Sequence, residues 1–128
     1  MRRIVTCWLL GTIWLSGCKD HASSRREIAI ETADRGWQAH EIVVAAGERA
    51  ATCAAAGLAM QRAFTEHRQA FVDAVNLDKD RAQLEAATEY LAAHQERYAD
   101  LETRMEALSE RCATDATVQA AFQQMESP

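Results

Sequence analysis

The residues of greatest chemical reach in this chain are three histidines, His40, His67 and His94, with two methionines, Met60 and Met105, all on or beside apolar stripes of helical spacing. Inside a helical bundle, imidazole and thioether groups from facing helices are the raw material of a metal or haem site. The finer pattern argues against one. The chain has no Cys-x-x-Cys-His attachment motif, no Glu-x-x-His pair and no two histidines four residues apart. A histidine on an otherwise apolar face is more ordinarily a hydrogen-bonded core or boundary residue. No cofactor is expected, and His67 and His94 are the ligands that any metal would take. The acidic residues Glu85, Glu89, Glu96, Glu102, Glu106 and Glu110 interleave with Arg97, Arg104 and Arg111, the pattern of a solvated helix face. No nucleophile is paired with a base by spacing, so no catalytic residue and no enzyme activity are expected.

Positioning begins with the N-terminal segment. Met1-Arg2-Arg3 precede an apolar run from Ile4 to Leu15, and Ser16-Gly17-Cys18 follow, which is the charged, hydrophobic, small-residue order of a signal peptide. The run is well short of the roughly twenty residues that a spanning helix needs, and Thr6, Cys7 and Thr12 dilute it further. Leu15-Ser16-Gly17-Cys18 resembles the bacterial lipobox. The resemblance covers residues 1–18 and implies cleavage between Gly17 and Cys18, a diacylglyceryl thioether on Cys18 and an acylated amino group. Several acyl chains together anchor far more firmly than one. The implied location is the bacterial cell envelope, lipid-anchored and facing the periplasm or the exterior, reached by general secretion because Arg2-Arg3 lacks the rest of a twin-arginine pattern. The expected organisation is a signal peptide over 1–17, a lipidated cysteine and short tether over 18–23, and a helical domain over 24–128.

With Cys7 removed in the leader and Cys18 lipidated, the same resemblance leaves Cys53 and Cys112 as a pair in an oxidising compartment. A disulfide between them is expected, with a bridge between two chains or two buried thiols as the alternatives.

Composition bounds the rest. The 128 residues carry 14 Lys and Arg against 19 Asp and Glu, and every acid lies after Cys18, so the mature part is more acidic than the full-chain net charge of −5. Nucleic acid and an anionic membrane face are disfavoured as main partners, because both demand a basic patch. The one proline is Pro128, and Ala, Glu, Gln, Arg and Leu dominate. Nothing internal forbids long helices and most residues favour them, so a single all-α domain is expected.

Within 24–128, Ser24-Arg25-Arg26-Glu27 fits a capping box that starts a first helix. Ile30, Ala33, Trp37, His40 and Val44 then mark one face, and a second series runs through Cys53, Gly57, Met60, Phe64, His67, Phe71 and Ala74. The two are about half a turn out of phase at roughly 100° per residue, which favours a break near Gly47. Asn76-Leu77-Asp78-Lys79-Asp80 reads as a turn with an aspartate cap. Beyond it, Leu84, Leu91, Tyr98, Met105 and Cys112 recur every seven residues, with Ala87, His94, Leu101 and Leu108 between them. Such a repeat predicts one long helix with coiled-coil-like packing. Thr114-Asp115 can cap a short last helix with Val118, Ala121, Phe122 and Met125 on one face.

The expected fold is a small antiparallel bundle or long helical hairpin. Matching Cys53 with Cys112 also pairs Met60 with Met105, Phe64 with Leu101, His67 with Tyr98 and Phe71 with His94. A tight turn near residue 78 opposes this, since it leaves Cys112 roughly 13 Å beyond Cys53 at about 1.5 Å per residue. Core residues are expected at Trp37, Met60, Phe64, Phe71, Leu84, Leu91, Tyr98, Leu101, Met105 and Leu108. The function these features favour is a membrane-tethered, non-catalytic helical protein acting on an envelope protein or self-associating. The alternative is a helical lipoprotein that binds a small ligand, a metal or haem.

Overall fold

The computed structural model describes residues 2–128, with side chains from residue 23 onward. The leader, the lipobox and Cys18 fall outside the residues whose side chains are described. The elements are α1 (Arg2–Glu48), α2 (Cys53–Val75), a 3-10 turn (Asn76–Lys79), α3 (Arg81–Ala93), α4 (Gln95–Arg111) and α5 (Ala116–Glu126), all helical. Among the described residues no helix is long and apolar enough to cross a membrane.

Local chemistry sets most boundaries. The stripe of α1 ends at Glu48, beside the phase change at Gly47, and the Thr52 hydroxyl restarts the chain by accepting from the Ala55 amide at 3.2 Å. Asp80 caps α3 by accepting from the amides of Ala82 and Gln83 at 2.9 and 3.2 Å, and Asp115 caps α5 through those of Thr117 and Val118 at 2.9 and 3.1 Å. Each cap satisfies amides that the first helical turn leaves without partners. One expected start is corrected. Ser24 and Glu27 are exposed residues inside α1, because no proline or turn sequence precedes them to end the helix and a capping box forms only where the chain enters one.

The expected single helix over the heptad repeat is also broken, at His94, whose backbone leaves helical geometry at φ −118° and ψ 32°. Its imidazole Nδ1 lies 2.8 Å from the Tyr90 carbonyl, the acceptor that the His94 amide would use in an unbroken helix. The amide turns to Leu91 instead, at 3.0 Å. A side chain that competes for the backbone's own acceptor commonly interrupts a helix.

α1 is the central element. α2 runs antiparallel to it, Gly36 meeting Ala74 and Gly47 meeting Met60. α3 and α4 run along α1 in the parallel sense, as shown by the contacts Arg26 to Glu89, Asp34 to Arg97 and Glu48 to Arg104. α5 covers α2 where Gly57 lets Thr117 approach; a Cβ there would stand 2.6 Å from the Thr117 carbonyl carbon. At this end Val43, Val44, Met60, Phe64, Leu108 and Val118 form a dense core. The opposite end holds a smaller cluster of Ala29, Ala33, Leu77, Ala86 and Ala87.

Cys53 and Cys112 form a disulfide within the chain, their Cα atoms 5.5 Å apart. The expected 13 Å offset between Cys53 and Cys112 is absent. The side-by-side pairing of α2 with the heptad repeat is corrected: Tyr98 stacks on Trp37, Phe71 on His40 and Phe64, and His94 on Tyr90.

Candidate interaction groove

The two edges of the heptad stripe on α3 and α4 have different fates. Residues one position before it, Tyr90, Arg97, Arg104 and Arg111, all turn toward α1. Arg97 donates through Nε and Nη2 to the two oxygens of Glu41 at 2.9 and 2.8 Å, and through Nη1 to Asp34 at 2.9 Å. Arg104 donates to both oxygens of Glu48 at 3.0 and 2.7 Å, and Arg111 to the Gly47 carbonyl at 3.2 Å. The Tyr90 hydroxyl donates to Asp34 at 2.7 Å, and the Trp37 indole to Glu41 at 3.0 Å. Asp34, Glu41 and Glu48 are themselves seven residues apart, so one heptad register aligns the whole ladder. Bidentate arginine forks fix orientation as well as adding energy.

The ladder's electrostatics follow from these contacts. The Tyr90 hydroxyl, helped by Arg97 and opposed by burial, holds the Asp34 carboxyl below its usual range. Arg97 does the same for Glu41 and Arg104 for Glu48, again against burial. Both guanidinium groups are held still more firmly protonated.

The stripe itself faces an apolar cavity of about 390 Å³ between α1, the end of α2, α3 and α4. Leu84, Leu91, Tyr98 and Met105 line it on one side, and Trp37 and His40 on another. It exists because α1 and α2 contribute Ala33, Gly36 and Ala74 there, side chains too small to fill the space. Gly36 brings the backbones close, a Cβ there standing 2.6 Å from that of Ala74. Leu84 and Tyr98, expected in the core, are 44% and 47% exposed because no large side chain of α2 reaches them. Glu102 is the one charged residue of the lining.

His40 is the polar group of the inner wall. Its Nδ1 sits 2.7 Å from the Gly36 carbonyl and therefore carries the proton, leaving Nε2 as an acceptor. Burial lowers the imidazole pKa, partly offset by that hydrogen bond, so the ring is neutral near pH 7. Sequence spacing placed His40 on the apolar face without indicating that it lines a cavity.

The histidines singled out as ligands are not brought together. His67 is half-buried on α2, and His94 is exposed at the helix break, stacked on Tyr90 with centroids 4.3 Å apart. Met60 is fully buried in the dense core, whereas Met105 lines the groove. Among the described residues no group of three or more His, Cys, Asp or Glu is placed to hold a metal ion. Arg97 and Arg104, read from sequence as part of a solvated face, are the residues that sequence reasoning missed; the signal was the matching seven-residue spacing of Asp34, Glu41 and Glu48. No protein-family model, curated protein or solved structure matches the chain, so the reading of function rests on its own residues.

Proposed function

We propose that this chain is a membrane-tethered, non-catalytic helical protein of the bacterial envelope, an accessory or interaction subunit whose groove between α1, α3 and α4 receives a partner. The observation that carries the reading is the half-exposure of Leu84 and Tyr98, two residues of a core-type repeat, beside an apolar cavity that the chain's own helices leave unfilled. Apolar surface of this kind, rimmed by polar residues, marks interaction sites. The leader and the lipobox-like residues 15–18 support the tether. A short tether raises the effective concentration of the domain toward other membrane-bound proteins.

The test is photo-crosslinking in the native bacterium, with the crosslinker at position 84 or at position 62, an exposed site on α2. A discrete adduct with one envelope protein is expected from position 84 alone. No adduct from position 84, or equal labelling from both sites, would overturn the interaction reading. Intact mass of the membrane-extracted protein tests the tether separately: residues 1–17 missing and acyl mass added are expected. A small apolar ligand is the second reading, favoured by His40 and Met105 lining the same cavity. A stoichiometric bound molecule or a visible absorption band in the purified protein would mark it.

A further inference from the structure

We infer that the cavity binds a small, uncharged, apolar molecule carrying one hydroxyl or N–H donor, with that donor set on Nε2 of His40. This assignment rests on the small-ligand reading of the cavity and names the chemistry of the molecule; it needs neither the tether nor a protein partner. Room is available. An apolar protein cavity of about 150 Å³ already takes benzene, and ligand pockets run from roughly 300 Å³ upward. At about 390 Å³, walled by Trp37, Leu91, Leu101 and Met105, this one has space for a fused bicyclic ring.

The hydrogen-bonding groups of the lining select the ligand. The Trp37 indole donates to Glu41 and the Thr88 hydroxyl to the Leu84 carbonyl, at 3.0 and 2.7 Å, so neither has a proton left for an occupant. Tyr98 and Glu102 are exposed residues of the rim. His40 differs from all of these. Its ring packs on Phe71 with centroids 4.5 Å apart, and its Nδ1 proton is spent on the Gly36 carbonyl at 2.7 Å. That leaves Nε2 as an acceptor with no protein donor, yet among the described residues no side-chain nitrogen or oxygen is both buried and unpartnered. Nε2 is therefore open, and the open space beside His40 is the cavity that it lines. An occupant that brings a donor completes this bond, whereas one that lacks a donor strips Nε2 of water and returns nothing. Charge narrows the class further. Among the described residues no cation lines the cavity, and burial keeps His40 neutral, so a carboxylate inside would go unpaired and would face Glu102 at the rim.

The test uses the full chain, disulfide intact, in nonionic detergent, with equilibrium dialysis against the same detergent so that partition into micelles cancels. The probes are 2-naphthol, 2-methoxynaphthalene and 2-naphthoate, which share one ring system and differ in donor and charge. 2-Naphthol should bind saturably and roughly tenfold tighter than either of the others, the cost of leaving an acceptor or a charge unpaired. His40→Phe keeps a ring against Phe71 and removes the acceptor, and should bring 2-naphthol and 2-methoxynaphthalene to equal affinity. Glu102→Gln changes an exposed side chain and should tighten 2-naphthoate alone. This variant and the wild-type order carry the test even if His40→Phe fails to fold. Saturable binding without a preference for 2-naphthol, or a preference that survives in His40→Phe, would overturn the donor assignment and leave the small-ligand reading standing. Unchanged 2-naphthoate binding in Glu102→Gln would overturn the exclusion of anions. No saturable binding of any probe would overturn the small-ligand reading and the donor assignment together.

Discussion

The two ends of this bundle solve the same packing problem with different residues. At the end where α1 stops and α2 starts, Val43, Val44, Met60, Leu108 and Val118 interlock, the disulfide ties the first residue of α2 to the residue after α4, and α5 lies over the outside. At the other end the interior is Leu77 among alanines, Ala29, Ala33, Ala86 and Ala87, with Gly36 and Ala74 nearby. The large residues Leu84 and Tyr98 border a cavity there rather than fill one. The difference teaches that burial in this protein is limited by the neighbour, not by the hydrophobicity of the residue itself. Leu84 and Leu108 are both leucines of the same repeat, yet Leu108 is 3% exposed and Leu84 44%. Large buried side chains are concentrated at the closed end, and unfilled apolar space at the open one.

Three experiments can break or sharpen that contrast. The largest effect is expected from replacing both Cys53 and Cys112 by alanine. The bridge joins residues 59 apart in sequence. Loss of a loop closure of that size should lower the unfolding free energy by roughly 4 kcal/mol in the chain-entropy model. Urea denaturation reads it, and a loss under about 1 kcal/mol would mean that the closed end holds without its staple.

Next comes a matched pair of truncations. Met60→Ala, in the closed core, should cost about 3 kcal/mol through lost contacts and the void left behind. Leu84→Ala, half-exposed beside the groove, should cost under about 0.5 kcal/mol. Equal losses in the same denaturation series would abolish the distinction between the two ends.

The smallest effect belongs to the ladder that joins α1 to α3 and α4. Its side chains are part-exposed, so Arg97→Met should cost about 1 kcal/mol at low salt and less as salt screens the pairs. The pH signature gives sharper discrimination. Asp34, Glu41 and Glu48 are depressed in the folded protein, so the unfolded chain binds protons first as the medium acidifies. Their contribution is fully present above the ordinary carboxylate range, near pH 4, and is lost as pH falls through the lowered folded values. Arg97→Met should flatten that acid limb. An unchanged acid limb in the variant would show that the ladder does not align the helices.

Much of this architecture was legible in one dimension. The scarcity of proline and the composition fixed an all-α chain, the phase change located the break beside Gly47, and Asp80 and Asp115 cap the helices that their positions suggested. The pairing of Cys53 with Cys112, which the resemblance of residues 15–18 to a lipobox implied, is present as a bridge. The helical class, the break and the caps are decided by interactions among residues a few positions apart, which sequence records directly.

What sequence left open was the choice of neighbour. The heptad repeat announced a helix that packs, but the same repeat fits α1 or α2 equally well, and the arginines beside it resemble any solvated face. Tertiary structure decided for α1, because Asp34, Glu41 and Glu48 meet Arg97 and Arg104 across gaps of 56 or 63 residues. The break at His94 needed a side chain to displace its own amide from the Tyr90 carbonyl, a local competition that heptad counting does not see. The groove required knowing which small side chains would face Leu84 and Tyr98. Sequence fixes what each helix offers; only the packed chain fixes what each face meets, because a void belongs to the residues on both of its walls.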